Sequence, residues 1–525
     1  MNRNLPFLAL LLFLHTALTM GALGQFKQPY RFERELKTSE EGVTVISLKK
    51  EGLAFVRDMN KYEQGKKRWQ LEVVDTTLSS VWLTEFELET RLILVGYEYS
   101  HTQLFLLFRE GESEMHNLEL LTLHLPEKSF QKDKIKFELN FKLTHFTIAG
   151  SSALFGGYVS GEPAVLLYNQ SSDKPKVLPG LFMKDIALLD IRTNQNQSFN
   201  VLLAERRGIE KKRLVVRTYD QDGNLLIDDV IDVDPKYSIL SGLTSALERD
   251  EMIILGTYGE NNERQALGFF SVVVDPFNEQ AVSYTDLSSL QHLLDYLPGK
   301  KSGKIKEKAQ KQKNLSHLPN YKAYVVPIRI EEKSNGFYLL AEMYTQSTNF
   351  DLYPTSPNYN PYSNGYSPTG ASPFSNRSYS APYPYNPPRN PSVEMIQTMV
   401  MQFGGRGQVE KDVSMKLDDI RQPGLEQVGD FLVAGDSVFM TYKKEGEIFY
   451  QNASGDPEEK SSIKQAKVKL LSPYDALKNE DEDTGGVRFW YDQHFFVWGF
   501  QTIKNSTIEG NQTRHVFYVN KISPR

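Results

Sequence analysis

RLVVRTYDQDGNLLIDDVIDV, residues 213–233, is two alternating, β-branched runs joined by Asp-Gln-Asp-Gly-Asn. A period of two puts successive side chains on opposite faces of a strand. Asp222-Gly223 supplies residues that accept positive φ, so the segment is predicted as a tight antiparallel hairpin. The oxygens of Asp220, Asp222 and Asn224 also alternate as in a calcium loop. The stretch lacks the full loop pattern and its closing bidentate glutamate, so a turn is preferred over a metal site there.

The same grammar extends in both directions. VTVISL (43–48), WQLEVVD (69–75), LILVGYEYS (92–100), ALFGGYVS (153–160), MIILGTYG (252–259), YKAYVVPIRI (321–330), GFYLLAEMY (336–344) and HVFYVNKI (515–522) are short, apolar and bounded by turn residues. Helical patterning is confined to SSLQHLLDYL (288–297) and the lysine-rich 304–313. No βαβ alternation occurs, which argues against a parallel α/β fold. Many antiparallel strands in one long chain must hide their edges, and radial repetition does so. The expectation is an all-β protein, a β-propeller of about seven blades over residues 26–525, with paired β-sandwiches as the alternative. A loose recurrence, Val95-Gly96-Tyr97, Gly156-Gly157-Tyr158 and Gly256-Thr257-Tyr258, supports repetition but has no fixed period.

Two segments interrupt the strands. Residues 298–319 carry seven lysines against Glu307 alone, which reads as a solvated helix or loop, or as a basic arm for an acidic partner or glycan. Residues 351–392 hold ten prolines and seven tyrosines (Tyr353, Tyr359, Tyr362, Tyr366, Tyr379, Tyr383 and Tyr385) with no lysine or glutamate. An extended, mobile loop is expected, its tyrosines being candidate contacts for a protein or a sugar.

The 525-residue chain has a net charge of −6 and no cysteine. Global attraction to nucleic acid is therefore not expected, and disulfides, thiolate metal sites and cysteine nucleophiles are excluded. The first 25 residues, MNRNLPFLALLLFLHTALTMGALGQ, combine Arg3, an apolar run and Ala22-Leu23-Gly24, the pattern of a cleaved signal peptide. Export to the periplasm or cell surface follows, with no transmembrane span in the mature chain. Asn-x-Ser/Thr tripeptides at Asn169, Asn196, Asn314, Asn376, Asn452, Asn505 and Asn511 are read as mostly accidental in a bacterial-looking sequence.

Chemistry is sparse. Histidines 101, 116, 124, 145, 292, 317, 494 and 515 show no ligand spacing, and nucleophile-elbow, P-loop and dinucleotide-binding glycine motifs are absent. No cofactor is expected. Glu342 interrupts the apolar strand FYLLAEMY, and if it faces inward its pKa rises and it becomes a candidate general acid. A glycosidase would need a second carboxylate opposite it.

GFYLLAEMY before a Tyr/Pro-rich insertion, WYDQHFFVWGFQTIKN (490–505) and YDQDGNLLIDD resemble segments of a group of exported envelope proteins of Bacteroidota. Asp75-Thr76-Thr77 and Asp436-Ser437-Val438 resemble the short O-glycosylation motif of that phylum. The resemblance implies a propeller-like envelope protein and supplies no catalytic residues. The functional expectation is a non-catalytic binding or scaffold protein of the bacterial envelope, with an envelope protein or glycan as partner. The alternative is a glycan-binding or glycan-cleaving periplasmic enzyme; a stress- or biogenesis-related periplasmic factor ranks third.

Overall fold

In the computed structural model, residues 26–36, 42–346 and 393–524 are described, apart from short connections at 111–116, 139, 173, 206–211, 248–250, 261–263, 276–279, 316–320, 423–424, 455–461 and 506–512. The signal-peptide stretch and the Tyr/Pro-rich insertion with its seven tyrosines lie outside the described residues.

The described strands form eight four-stranded antiparallel sheets, the blades of a β-propeller. Blades 1 to 7 are made of consecutive strands over residues 43–89, 92–135, 141–177, 186–233, 237–286, 324–422 and 430–467. Blade 8 joins the chain's two ends. Asp475–Tyr491, His494–Asn505 and Thr513–Pro524 are its inner strands, and Phe26–Glu35 is its outermost strand. That last strand pairs antiparallel with Thr513–Pro524, from Phe26 opposite Pro524 to Glu35 opposite Val516.

The blade count is eight, not about seven. Sequence patterning undercounts because several outermost strands, such as Lys176–Val177 and Lys464–Lys467, are short, polar and exposed. They carry no apolar alternation to detect.

Eight apolar clusters fill the gaps between neighbouring blades, one per interface among the described residues. This explains the sequence runs. A second strand such as Ser152–Val159 is buried along its whole length because a blade covers each face, so its residues are near-continuously apolar. The outermost strand Leu225–Val233 has a solvated side and alternates. The Asp220 turn joins it to Lys212–Tyr219 as a hairpin.

The Gly-Tyr recurrence is not one structural repeat. Val95-Gly96-Tyr97 lies on a first strand and the other two on second strands. The regular feature is a bulge in the first strand of blades 2 to 6, between Leu94/Gly96, Leu143/His145, Leu188/Asp190, Ile239/Ser241 and Pro327/Arg329. Gly157 and Gly256 sit on second strands beside two of these bulges, where a Cβ would strike the carbonyl oxygens of Lys142 and Ser241. The glycines therefore record a backbone approach.

The expected basic insertion contains helix α1, Gly299–Asn314, between blades 5 and 6. No helix among the described residues is long and apolar enough to cross a membrane.

Candidate functional site

The first strand of each blade lines the centre of the ring, and the bulges re-aim its side chains. Many of the polar groups there are spent on holding blades together. Asp190, fully buried in blade 4, accepts from the Thr244 N–H (2.8 Å) and hydroxyl (3.0 Å) of blade 5. Burial pushes its carboxyl up to about 6. Arg329 of blade 6 donates to Asp430 Oδ1 (2.7 Å) and the Phe431 carbonyl (3.1 Å) of blade 7. Asp430 in turn accepts from Phe489 N–H of blade 8 at 2.8 Å. His145 is buried against Thr144 Oγ1 (2.7 Å), and desolvation lowers it to about 4.

Glu342 belongs to this group. It faces inward from the second strand of blade 6 and is fully buried. Oε1 accepts from Gly429 N–H (2.7 Å), Val428 N–H (3.0 Å) and Thr398 Oγ1 (3.1 Å). Burial raises its pKa to about 7 against the lowering effect of these bonds and of Arg488. Its carboxylate therefore grips the connection from blade 6 to blade 7.

Arg488, on the first strand of blade 8, grips the same connection from the other side. It donates to the carbonyls of Gln427 (2.5 Å), Val428 (3.4 Å) and its neighbour Val487 (2.7 Å). It keeps partial exposure, with its guanidinium 5.6 Å from the centre of the Trp498 ring. Its positive charge reaches three groups: Glu342, Glu426 and Tyr97. Tyr97 is on the first strand of blade 2, and blade 1 intervenes between it and blade 8. The Tyr97 ring packs against the apolar cluster between blades 1 and 2. Burial raises the Tyr97 phenol well above its ordinary value.

Glu426 completes the cluster. It is carried by the gripped connection, keeps partial exposure, and is raised to about 7 by burial, partly countered by Arg488. A carboxyl poised near neutrality can hold or release a proton, and a guanidinium can take an anion. Of these residues only Glu342 stood out in the sequence. Glu426 lies in QPGLEQVGD, whose Pro-Gly reads as a turn, and Arg488 lies in a strand, so neither had a local signal.

The Asp220 cluster is occupied internally. Asp220 Oδ1 accepts from the backbone N–H of Asp222 (3.0 Å) and Asn224 (2.8 Å), and Oδ2 accepts from the Asn224 amide (2.8 Å). These bonds, that of the Asn224 side chain foremost, lower its pKa. Among the described residues no three His, Asp or Glu side chains gather as metal ligands.

No protein-family model and no curated protein matches the chain. Solved structures do align with it. A polysaccharide lyase, Uly1, shares 10% identity at a TM-score of 0.36, over 93% of this chain and 100% of its own. A prolyl endopeptidase shares 10% identity at 0.38, over 90% of this chain and 55% of its own. The β-propeller domain of the trilobed protease from Pyrococcus furiosus shares 9% identity at 0.34, over 80% and 95%. The expectation of a non-catalytic scaffold is corrected to the extent that it finds no support here: the structures that align are lyases and peptidases by name, a statement about those proteins. At these scores no residue of theirs transfers to this chain.

Proposed function

We propose that the protein acts on an acidic glycan, bound at the channel where Arg488 meets the segment that carries Glu426. One observation carries the reading. A part-exposed guanidinium donates to the carbonyls of Gln427 and Val428, the two residues that follow Glu426, whose carboxyl burial pushes up to about 7. Arg488 would hold the sugar's carboxylate, a charge-assisted bond that Arg makes well. Glu426 would exchange a proton with the bound sugar, its pKa being matched to neutral pH. Glu342 is a positioning residue, since its bonds to Val428 and Gly429 hold the Glu426 segment.

The test is incubation with polygalacturonate and with neutral dextran, following binding by calorimetry and products by ultraviolet absorbance and reducing ends. An unsaturated uronate product marks elimination, new reducing ends without it mark hydrolysis, and binding alone marks a recognition module. Absence of binding to the acidic polymer removes the proposal. Arg488→Gln is expected to weaken polygalacturonate binding by about tenfold or more, the value of a charged hydrogen bond.

We also propose that the chain is exported to the periplasm, on the strength of its N-terminal leader. N-terminal sequencing of the protein from an envelope fraction is expected to start near Gln25 or Phe26. A chain beginning at Met1 in the cytosol would refute it.

A further inference from the structure

We propose that one face of helix α1 is a docking track for the polyanionic chain whose sugar the channel receives, an inference that rests on the reading above. The helix carries seven lysines and one glutamate in a protein of net charge −6. Lys300, Lys304, Lys308 and Lys311 are exposed and recur every three or four residues, so they share one face, on which Glu307 pairs with Lys311 at 2.8 Å and leaves the other three ammonium groups in excess. Ammonium groups thus repeat at about 5–6 Å along the helix. A polysaccharide with a carboxylate or sulfate on its sugars repeats its charge in the same register-tolerant way.

The opposite face is committed to the protein. Ala309 is buried and Ile305 packs on the cluster between blades 5 and 6. Lys306 Nζ donates to the Gln291 carbonyl at 2.6 Å. The segment before the helix is pinned to blade 6, where Asp412 accepts from the N–H groups of Gln291 (2.8 Å) and His292 (2.7 Å). Gln397 Nε2 donates to the Leu293 carbonyl at 2.8 Å. The lysine face is therefore held in place.

Its location matters. The connection bearing α1 leaves the outermost strand of blade 5 for the first strand of blade 6, and the connection bearing Glu426 makes the same passage from blade 6 to blade 7. Equivalent connections open on the same face of a propeller, so the track and the channel site share one face, one blade apart.

The helix also violates a local rule. Lys300 and Lys301 stand in its first turn with no acidic residue and no side-chain cap, against the positive end of the helix dipole. A bound anion relieves that conflict, and such conflicts concentrate at functional surfaces. A lipid surface fits less well, because the apolar residues that would enter it face the protein. Single-stranded nucleic acid fits less well, because no aromatic side chain lies among the lysines to stack on bases.

The test uses the full chain with Lys300, Lys304, Lys308 and Lys311 all changed to Gln, and a second variant with all four changed to Arg. Polygalacturonate, neutral dextran and phosphatidylglycerol vesicles are the probes, over a salt series. The Gln variant is expected to bind polygalacturonate about tenfold more weakly or worse, with a salt slope shallower by about 3, and the Arg variant to bind normally. Unchanged affinity in the Gln variant overturns the track, as does wild-type binding to vesicles without binding to the polymer. If Arg488→Gln loses binding while the Gln variant keeps it, the track fails and the channel reading stands. The reverse pattern keeps the track and removes the channel.

Discussion

Glu342 and Glu426 are both raised to about 7, yet their situations oppose each other. Glu342 has no exposure and several donors; Glu426 keeps a solvent face. Glu342→Ala leaves the N–H groups of Val428 and Gly429 without their acceptor, and unsatisfied buried donors cost about 1–3 kcal/mol each. The expected loss is about 3 kcal/mol in a denaturant titration, together with weakened glycan binding as the Glu426 segment loosens. A variant of wild-type stability would show that the grip is unimportant. Glu426→Gln is expected to fold normally and to flatten the pH dependence of glycan binding or turnover around pH 7. A profile unchanged from wild type would exclude Glu426 as the proton-transferring group.

The same shifts set stability against pH. Asp190, Glu342 and Glu426 bind protons more tightly folded than unfolded, so folding takes up protons between about 4 and 7. Their contribution is most favourable below that window and is lost as pH rises through it. His145, lowered to about 4, acts the other way, since its neutrality disfavours the folded state as pH falls below 6.5. His494 is also lowered by burial, but three carboxyls outweigh two imidazoles between pH 8 and 6, so the protein is expected to melt at a higher temperature at pH 6 than at pH 8. Asp190→Asn is expected to reduce that difference. A melting temperature that is flat or rises towards pH 8 would contradict the assignment.

At the scale of elements, the recurring feature is the bulged first strand of blades 2 to 6. The extra residue shifts the register, so His145, Asp190, Ser241 and Arg329 follow the break in four successive blades. Two of them, Asp190 and Arg329, bond to the next blade. Arg329 lies between Asp430 (2.7 Å) and Glu331 (2.7 Å), all three little exposed. Removing one partner of a buried ion pair strands the other, so Arg329→Met is expected to lose about 3–5 kcal/mol, measured by equilibrium unfolding. A neutral substitution would mean that packing against Phe431, over which the guanidinium sits at 4.4 Å, dominates instead.

At the scale of the whole molecule, closure depends on Phe26–Glu35. Arg31 of that strand donates to Gln501 Oε1 at 2.7 Å. Behind it, Glu480 accepts from Tyr518 Oη (2.6 Å) and Gln501 Nε2 (2.6 Å) and pairs with Lys443 of blade 7 at 2.7 Å. The closing blade is thus tied to its neighbour by a buried polar network. Deleting residues 26–36 uncovers the edge of Thr513–Pro524. The expected outcome is self-association, seen by light scattering, because a bare strand edge templates pairing. A monodisperse, cooperatively folding truncation would show that the ring closes without it.

The sequence by itself determined the class of fold. Strand periodicity and turn chemistry act over a few neighbouring residues, so the Asp220 hairpin and the buried run at Ser152–Val159 were legible one segment at a time. The unsuitable surroundings of Glu342 were legible for the same reason, since a carboxylate inside FYLLAEMY is conspicuous locally. The number of blades, the joining of residue 26 to residue 524 and the meeting of Arg488 with the Glu426 segment were decided only by tertiary structure. Ring closure and channel geometry bring together groups hundreds of residues apart, and pairing at that range leaves no trace in local composition.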